Sequence, residues 1–426
     1  MTEPQTRSPL PLAETRSSLP PVEILIFAVV VLLAGWLFKA HCYLDGAWAG
    51  GEQYTTGCYT DVVPFWSGRG VAGGAVPYVE AQLEYPVLTG AQIWIEGALS
   101  RAFVGPDGTA LVFLTVVTVA NAALALGVLV LLHRMAVPRA RLWWWALAPA
   151  IVLYVGHNWD LLAMFLAVLA IHRHRQGDAV GAGAALGLGT AAKLFPALLL
   201  PLVLLTHLQR REVGRLAVTA GSAAITWLAV NLPVALAAPR QWAEFYTFSQ
   251  ERLGTYAATW TVFDELGLLH TSVEQRNFWG AVTFALGAAA IVWAGWRTHR
   301  GQEWVLVTPV VVWFLLTNKV WSPQFDLWLV PLLIVTMRRT WPLVAFAVAD
   351  VLVYWTEFWW LARLQGNTPS APFEALAAAA ALRAVVLVGI MVLAVRDRPP
   401  AWLAVSETST VAPTRSTEPA IGADSR

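Results

Sequence analysis

Long apolar runs alternate along the chain with short polar joints. Apolar residues dominate 22 to 40, 110 to 132, 143 to 156, 158 to 172, 179 to 191, 194 to 206, 216 to 236, 278 to 297, 303 to 317, 325 to 337, 341 to 361 and 374 to 395. Runs of this kind read as helices that cross a bilayer, about twelve in all. A helix in lipid satisfies its own backbone polar groups, so the pattern predicts an all-α polytopic membrane bundle. Residues 23 to 38 are apolar like the core of a signal peptide, but no small-residue cleavage pattern follows, and they read as the first membrane helix. The Pro-, Ser-, Thr- and Glu-rich segments 1–21 and 399–426 read as disordered tails, which leaves 22–398 as one transmembrane domain.

The polar joints orient the bundle. Arginines cluster at Arg134, Arg139 and Arg141; Arg173 and Arg175; Arg210, Arg211 and Arg215; Arg297 and Arg300; Arg338 and Arg339; and Arg396 and Arg398. With the N-terminus inside, each cluster follows an even-numbered span, so the positive-inside rule places every cluster and both tails in the cytoplasm. The outer segments are then 41–109, tight turns near 157 and 192, 237–277, 318–324 and 362–373. The stretch from 87 to 103 contains Glu96 and Arg101, and counting it as a span would invert every later cluster. It is expected to be an interfacial helix within the first outer loop. The spans between 143 and 206 are too short for a hydrocarbon core of about 30 Å, which predicts a depression opening outward.

Composition narrows the function classes. The 426 residues are 57% hydrophobic and 13% charged, with formal net charge +1 and mean hydropathy +0.58, which argues against a soluble chain and against nucleic-acid binding. The 23 tryptophans suit interfacial belts.

The candidate chemistry gathers on the outer side. The only lysines are Lys39, Lys193 and Lys319, all at outward helix ends and against the positive-inside trend. Lys39 reads as a snorkelling lysine. Lys193 and Lys319, at hairpin tips before Pro196 and Pro323, are candidate ligands for a lipid phosphate. A third tip holds His157, Asn158 and Asp160, where the histidine is a candidate phosphate donor and Asn158 or Asp160 could instead cap the next helix. The first outer loop carries Asp61, Arg69, Glu80, Glu84 and Tyr85. Asp61 precedes an aromatic stretch whose apolar surroundings would raise its basicity, as a general base requires. Cys42 and Cys58 lie in an oxidising compartment and are expected to bridge, the alternative being two free thiols. No second histidine at ligand spacing and no Asp-x-Asp pair occurs in the outer loops, so no metal site is expected. The aromatic stretch from Phe245 to Trp260 reads as a holder of sugar or acceptor, or as an interfacial lid helix.

These residues resemble known signatures. Asp61 followed by Phe65-Trp66, Gly68-Arg69, Pro77-Tyr78 and Glu84-Tyr85-Pro86 resembles the first-loop pattern of glycosyltransferase family 87. Lys193-Leu194-Phe195-Pro196 leading to Pro201 resembles a downstream motif of that family, as does Asn318-Lys319-Val320 with Ser322-Pro323-Gln324-Phe325 leading to Trp328 and Pro331. Ala192 before the lysine and Val87 after Pro86 depart from the pattern and leave the acceptor open. The resemblance implies a GT-C-like fold and an enzyme that moves a sugar, typically mannose, from a polyprenyl-phosphate carrier to a glycolipid or cell-wall glycan, without a cofactor. It further implies an active site on the outer face of a bacterial plasma membrane. On this likeness Asp61 is the general base, and Lys193, Lys319 and His157 are carrier-phosphate ligands. Arg69, Glu84, Tyr85, Asn158, Asp160 and Gln324 are candidates for the sugar or acceptor. An arabinosyl transferase of the same fold is the alternative among enzymes, and a lipid or sugar transporter or flippase the alternative outside them.

Overall fold

The computed structural model describes residues 18–44, 50–105 and 108–403. The parts of the expected tails at 1–17 and 404–426 lie outside the described residues. Among those described, the secondary structure is helical with one isolated bridge, between Pro77 and Ala81.

The chain opens with α1 (Val22–Leu44), followed in the first outer loop by α2 (Glu52–Thr55), α3 (Val62–Gly68) and α4 (Val87–Val104). Helix α5 (Ala110–Arg134) returns across the bundle. The predicted span 143–156 is broken into α6 (Arg139–Ala146) and α7 (Pro149–Tyr154), because Pro149 lacks an N–H and begins a new helix. Then come α8 (Asp160–Arg175), α9 (Ala179–Ala192), α10 (Leu199–Gln209), α11 (Val213–Ala237), α12 (Pro239–Glu251) and α13 (Thr259–Glu265). The last are α14 (Val273–Gly295), α15 (Val307–Thr317), α16 (Asp326–Thr336), α17 (Trp341–Leu364) and α18 (Phe373–Arg396). Short 3₁₀ turns at Phe195–Leu198, Glu303–Leu306 and Pro323–Phe325 lead into α10, α15 and α16.

Six of these helices, α1, α5, α11, α14, α17 and α18, are long and apolar enough to cross a bilayer. They face outward with apolar side chains: Leu236 is 76% exposed, Trp293 81% and Val385 70%. Such surface is costly in water and natural in lipid. The protein is a multi-pass membrane protein. The shorter helices fill the middle, and every residue of α16 is buried, as expected of a helix that is apolar all round. Helix α9 is mostly Gly and Ala, which lets α11 lie against it. A Cβ on Gly183 or Gly187 would come within 2.3 Å of the carbonyl oxygens of Thr219 and Ala223 respectively.

The arginine-bearing joints meet at one end of the bundle. Arg134 donates to Ser18 O, Arg141 to Arg338 O at 2.7 Å, Arg175 to Met135 O and Trp402 O, and Arg210 to Gly301 O, while Arg339 pairs with Asp397. Residues Ala401–Leu403, which composition assigned to the tail, pack here, with Trp402 beneath the Arg141 guanidinium at 4.6 Å. The first loop lies at the other end. Its helix α4 turns polar groups inward and apolar ones out: Ile95 and Phe103 are exposed, while Glu96 is buried and accepts from Trp159 Nε1 at 2.7 Å and Gln92 Nε2 at 2.8 Å. Burial pushes the Glu96 carboxyl up to about 7.

Candidate active site

A cavity of about 680 Å³ opens at the end opposite the arginine joints. A larger hollow of about 1130 Å³ between α10 and α14 is lined by Leu, Ala, Val, Phe, Pro and Trp with Arg297 at one edge, a surface suited to lipid rather than to chemistry. The smaller cavity holds the titratable groups.

Asp61 immediately precedes α3, and its side chain caps no helix. Its backbone N–H donates to His157 O at 2.8 Å, which ties the first loop to the turn between α7 and α8. The carboxyl lines the cavity and accepts from Gln324 Nε2 at 3.3 Å and from the Tyr59 hydroxyl. Burial raises its pKa to about 6; the Tyr59 hydrogen bond and the Lys193 charge pull the other way, and the Asp160 charge adds to the rise. The same carboxylate, with burial, holds the Tyr59 phenol far above its ordinary value.

Lys193 stands across the cavity at the end of α9, where an extended backbone and Pro196 stop the helix. Its ammonium pairs with Asp160 and lies over the rings of Phe325 at 4.8 Å and of Tyr85 and Trp328 at 5.7 Å. Trp328 Nε1 donates to the other Asp160 oxygen at 2.8 Å, so the carboxylate is held from two sides. Arg69 and Glu84 form a two-bond pair on the rim, at 2.9 and 2.8 Å. That hydrogen bonding, against some burial, lifts the Arg69 pKa. Tyr85 is half-buried and stays a phenol, its pKa held well above the ordinary value by desolvation and the neighbouring carboxylates.

Other expected ligands turn elsewhere. His157 is buried behind the site with Nδ1 3.2 Å from Lys39 Nζ, and it does not line the cavity. Lys39 does not snorkel. It is fully buried and donates to Tyr59 O at 2.7 Å, Gly57 O at 3.3 Å and the Tyr354 hydroxyl at 2.6 Å, which fixes the loop just before Asp61. Asn158 stays in the turn, its Oδ1 accepting from Asp160 N at 3.0 Å while Trp159 occupies the N-cap of α8, and neither Asn158 nor Asp160 reaches the cavity wall. Lys319 also faces away. In the segment 318–322, which bends at Lys319, Asn318, Val320 and Ser322 line the cavity, and Lys319 and Trp321 are buried behind it. Lys319 Nζ donates instead to Gln250 O at 2.7 Å.

The structure adds residues that the sequence did not single out. Phe245, Phe248, Ser249 and Arg252, from α12 and just beyond it, form one side of the cavity. Arg252 carried a signal, being a basic residue in an outer loop of a chain whose other arginines concentrate inside. Cys42 and Cys58 are bonded, with Cα atoms 6.4 Å apart, and the sulfurs near His41 are therefore committed to each other rather than to a cation.

The family model for glycosyltransferase family 87 matches residues 99–323, a little over half of the chain. The chain belongs to glycosyltransferase family 87. In this family 87 protein the match takes in Lys193, Arg252 and Lys319 and begins after Asp61. No curated protein matches its sequence. Among solved structures it is similar to ArnT from Cupriavidus metallidurans bound to undecaprenyl phosphate, at 15% identity and a TM-score of 0.43, over 88% of this chain and 77% of that one.

Proposed function

We propose that this family 87 protein transfers a sugar, mannose on the family resemblance, from a polyprenyl-phosphate carrier to a hydroxyl of a glycolipid or cell-wall glycan on the outer face of a bacterial plasma membrane. The observation that carries the reading is that the Asp61 carboxyl and the Lys193 ammonium open on one cavity between aromatic walls. In the proposed step, Asp61 takes the proton of the acceptor hydroxyl, whose oxygen forms the new bond to the anomeric carbon. The bond from that carbon to the carrier phosphate breaks, its electron pair stays on the phosphate oxygen, and Lys193 stabilises that charge. One displacement inverts the centre. The leaving group departs as a phosphate already anionic, so the step needs no cofactor and no metal. The site's position at one end of the bundle supports transfer rather than transport, for which binding near the midplane between repeats is the common arrangement.

The test is transfer of label from polyprenyl-phosphate mannose, with the arabinose donor in parallel, to glycolipid acceptors in membranes that hold the protein. Label in a new glycolipid, lost in Asp61→Asn with donor binding kept, is the expected result. Uptake of label into vesicles without a covalent product would overturn it.

A further inference from the structure

The cations on the cavity wall are Arg69, Lys193 and Arg252. Arg69 is neutralised by Glu84 and Lys193 by Asp160. Asp61, when ionised, adds a negative charge. A carrier phosphate would therefore meet no net positive charge from these pairs, and an anion site needs one more cation. The Arg252 guanidinium lines the cavity, rests on the Phe248 ring at 5.3 Å, and forms no hydrogen bond or ion pair with another described residue. Guanidinium groups satisfy phosphate oxygens with paired N–H donors, and the half-buried Arg252 leaves its fork open to a ligand that enters the cavity.

The position of Arg252 is set from behind. Lys319 Nζ and Asn277 Nδ2 both donate to Gln250 O, at 2.7 and 2.9 Å, at the end of α12. Thr255 N donates to Lys319 O at 3.2 Å, and Trp321 N to Thr255 Oγ1 at 2.7 Å. Between them Gly254 has φ +129°, and a Cβ there would come 2.5 Å from Lys319 O. The segment 318–322, which presents Asn318 to the cavity, thus also holds the end of α12 through Lys319 and Trp321.

We infer that Arg252 is the second ligand of the carrier phosphate, opposite the Lys193–Asp160 pair, and that Lys319 is a positioning residue that acts through Arg252. The ligand class is a phosphate ester on a long apolar chain. The inference rests on the proposed sugar transfer from a polyprenyl-phosphate carrier, and it names which group of the helix over the cavity recognises that carrier.

The test measures binding of a sugar-free short-chain polyprenyl phosphate, the matched polyprenol and inorganic phosphate to the purified full chain in nanodiscs. Arg252→Gln should weaken polyprenyl phosphate by about tenfold or more, the worth of a charge-assisted hydrogen bond, leave polyprenol binding unchanged, and be partly rescued by Arg252→Lys. Lys319→Met should weaken the phosphate less, and the double variant Arg252→Gln with Lys319→Met should be no worse than Arg252→Gln alone. Wild-type affinity in Arg252→Gln, or an equal loss for polyprenol, would overturn the phosphate role. Additive losses in the double variant would overturn the role of Lys319. Displacement of the lipid by equimolar inorganic phosphate would make this a free-phosphate site and overturn the carrier assignment. Should Asp61→Asn transfer sugar normally while Arg252→Gln loses phosphate, the base assignment fails and this inference stands; the reverse pattern removes only this inference.

Discussion

The Lys193 ammonium is ion-paired with the Asp160 carboxylate, which is 1% exposed and fixed on its other oxygen by Trp328. The pair joins the end of α9 to the start of α8, and its ammonium shares the cavity with Asp61.

Asp160→Asn keeps the indole bond and removes the charge that holds Lys193. Leaving one member of such a pair unbalanced costs up to about 3–5 kcal/mol when both are buried, and less here because the lysine side chain keeps 14% exposure. Donor KM is expected to rise by about tenfold with a smaller fall in kcat. Asp160→Asn combined with Lys193→Met should be less destabilised than the sum of the single changes, which a double-mutant cycle of melting temperatures checks. A merely structural Asp160 would leave the pH profile unmoved. Because the Asp160 charge raises the Asp61 pKa, its loss should shift the acid limb of activity to lower pH.

Asp61 must be ionised to accept a proton, and its pKa stands at about 6 rather than 3.8. The rate, followed as kcat/KM, is expected to rise with pH up to about 6 and then level on that limb. Stability runs the opposite way. A carboxyl whose folded pKa is raised contributes stability that is present below its unfolded value and lost as pH rises through the folded one. Asp61→Asn should therefore melt higher than the wild type at pH values above about 6, with the gap closing below about 4. A gap that is constant with pH would contradict the burial of the charge.

The Cys42–Cys58 bond closes the loop that leads directly into Tyr59 and Asp61, over a sequence separation of 16. Replacing both cysteines with serine should lower stability by about 3 kcal/mol on loop-entropy grounds. Transfer should fall far less than in Asp61→Asn, because Lys39 still holds Gly57 O and Tyr59 O. A reducing agent should reproduce the loss in wild type and have no effect on the double variant.

Orientation can be read with single cysteines, since the native pair is bonded and no other cysteine occurs. Ser370→Cys lies in the joint between α17 and α18 on the cavity side, and Gln176→Cys after α8 among the arginine joints; both positions are exposed. A membrane-impermeant maleimide on intact cells should label Ser370→Cys and spare Gln176→Cys. The opposite pattern would put the site in the cytoplasm.

Hydropathy alone determined the helical membrane bundle, because apolar runs and arginine joints are local properties that lipid and charge read residue by residue. The runs at 22 to 40, 110 to 132 and 374 to 395 became α1, α5 and α18, and the first loop with Asp61 stood out because charged and aromatic residues crowd where neither lipid nor positive-inside bias calls for them. What the sequence could not decide was which way a side chain turns at a helix end. Lys319 and Asn318 are neighbours, yet one turns behind the wall to Gln250 O and the other into the cavity. Asp160 and Lys193 meet only because α8 and α9 form a hairpin, and Arg252 reaches the site only because Lys319 and Gly254 bring the end of α12 against the segment from 318 to 322. Those contacts join residues distant in the chain, and their direction is set by tertiary packing, which no local pattern encodes.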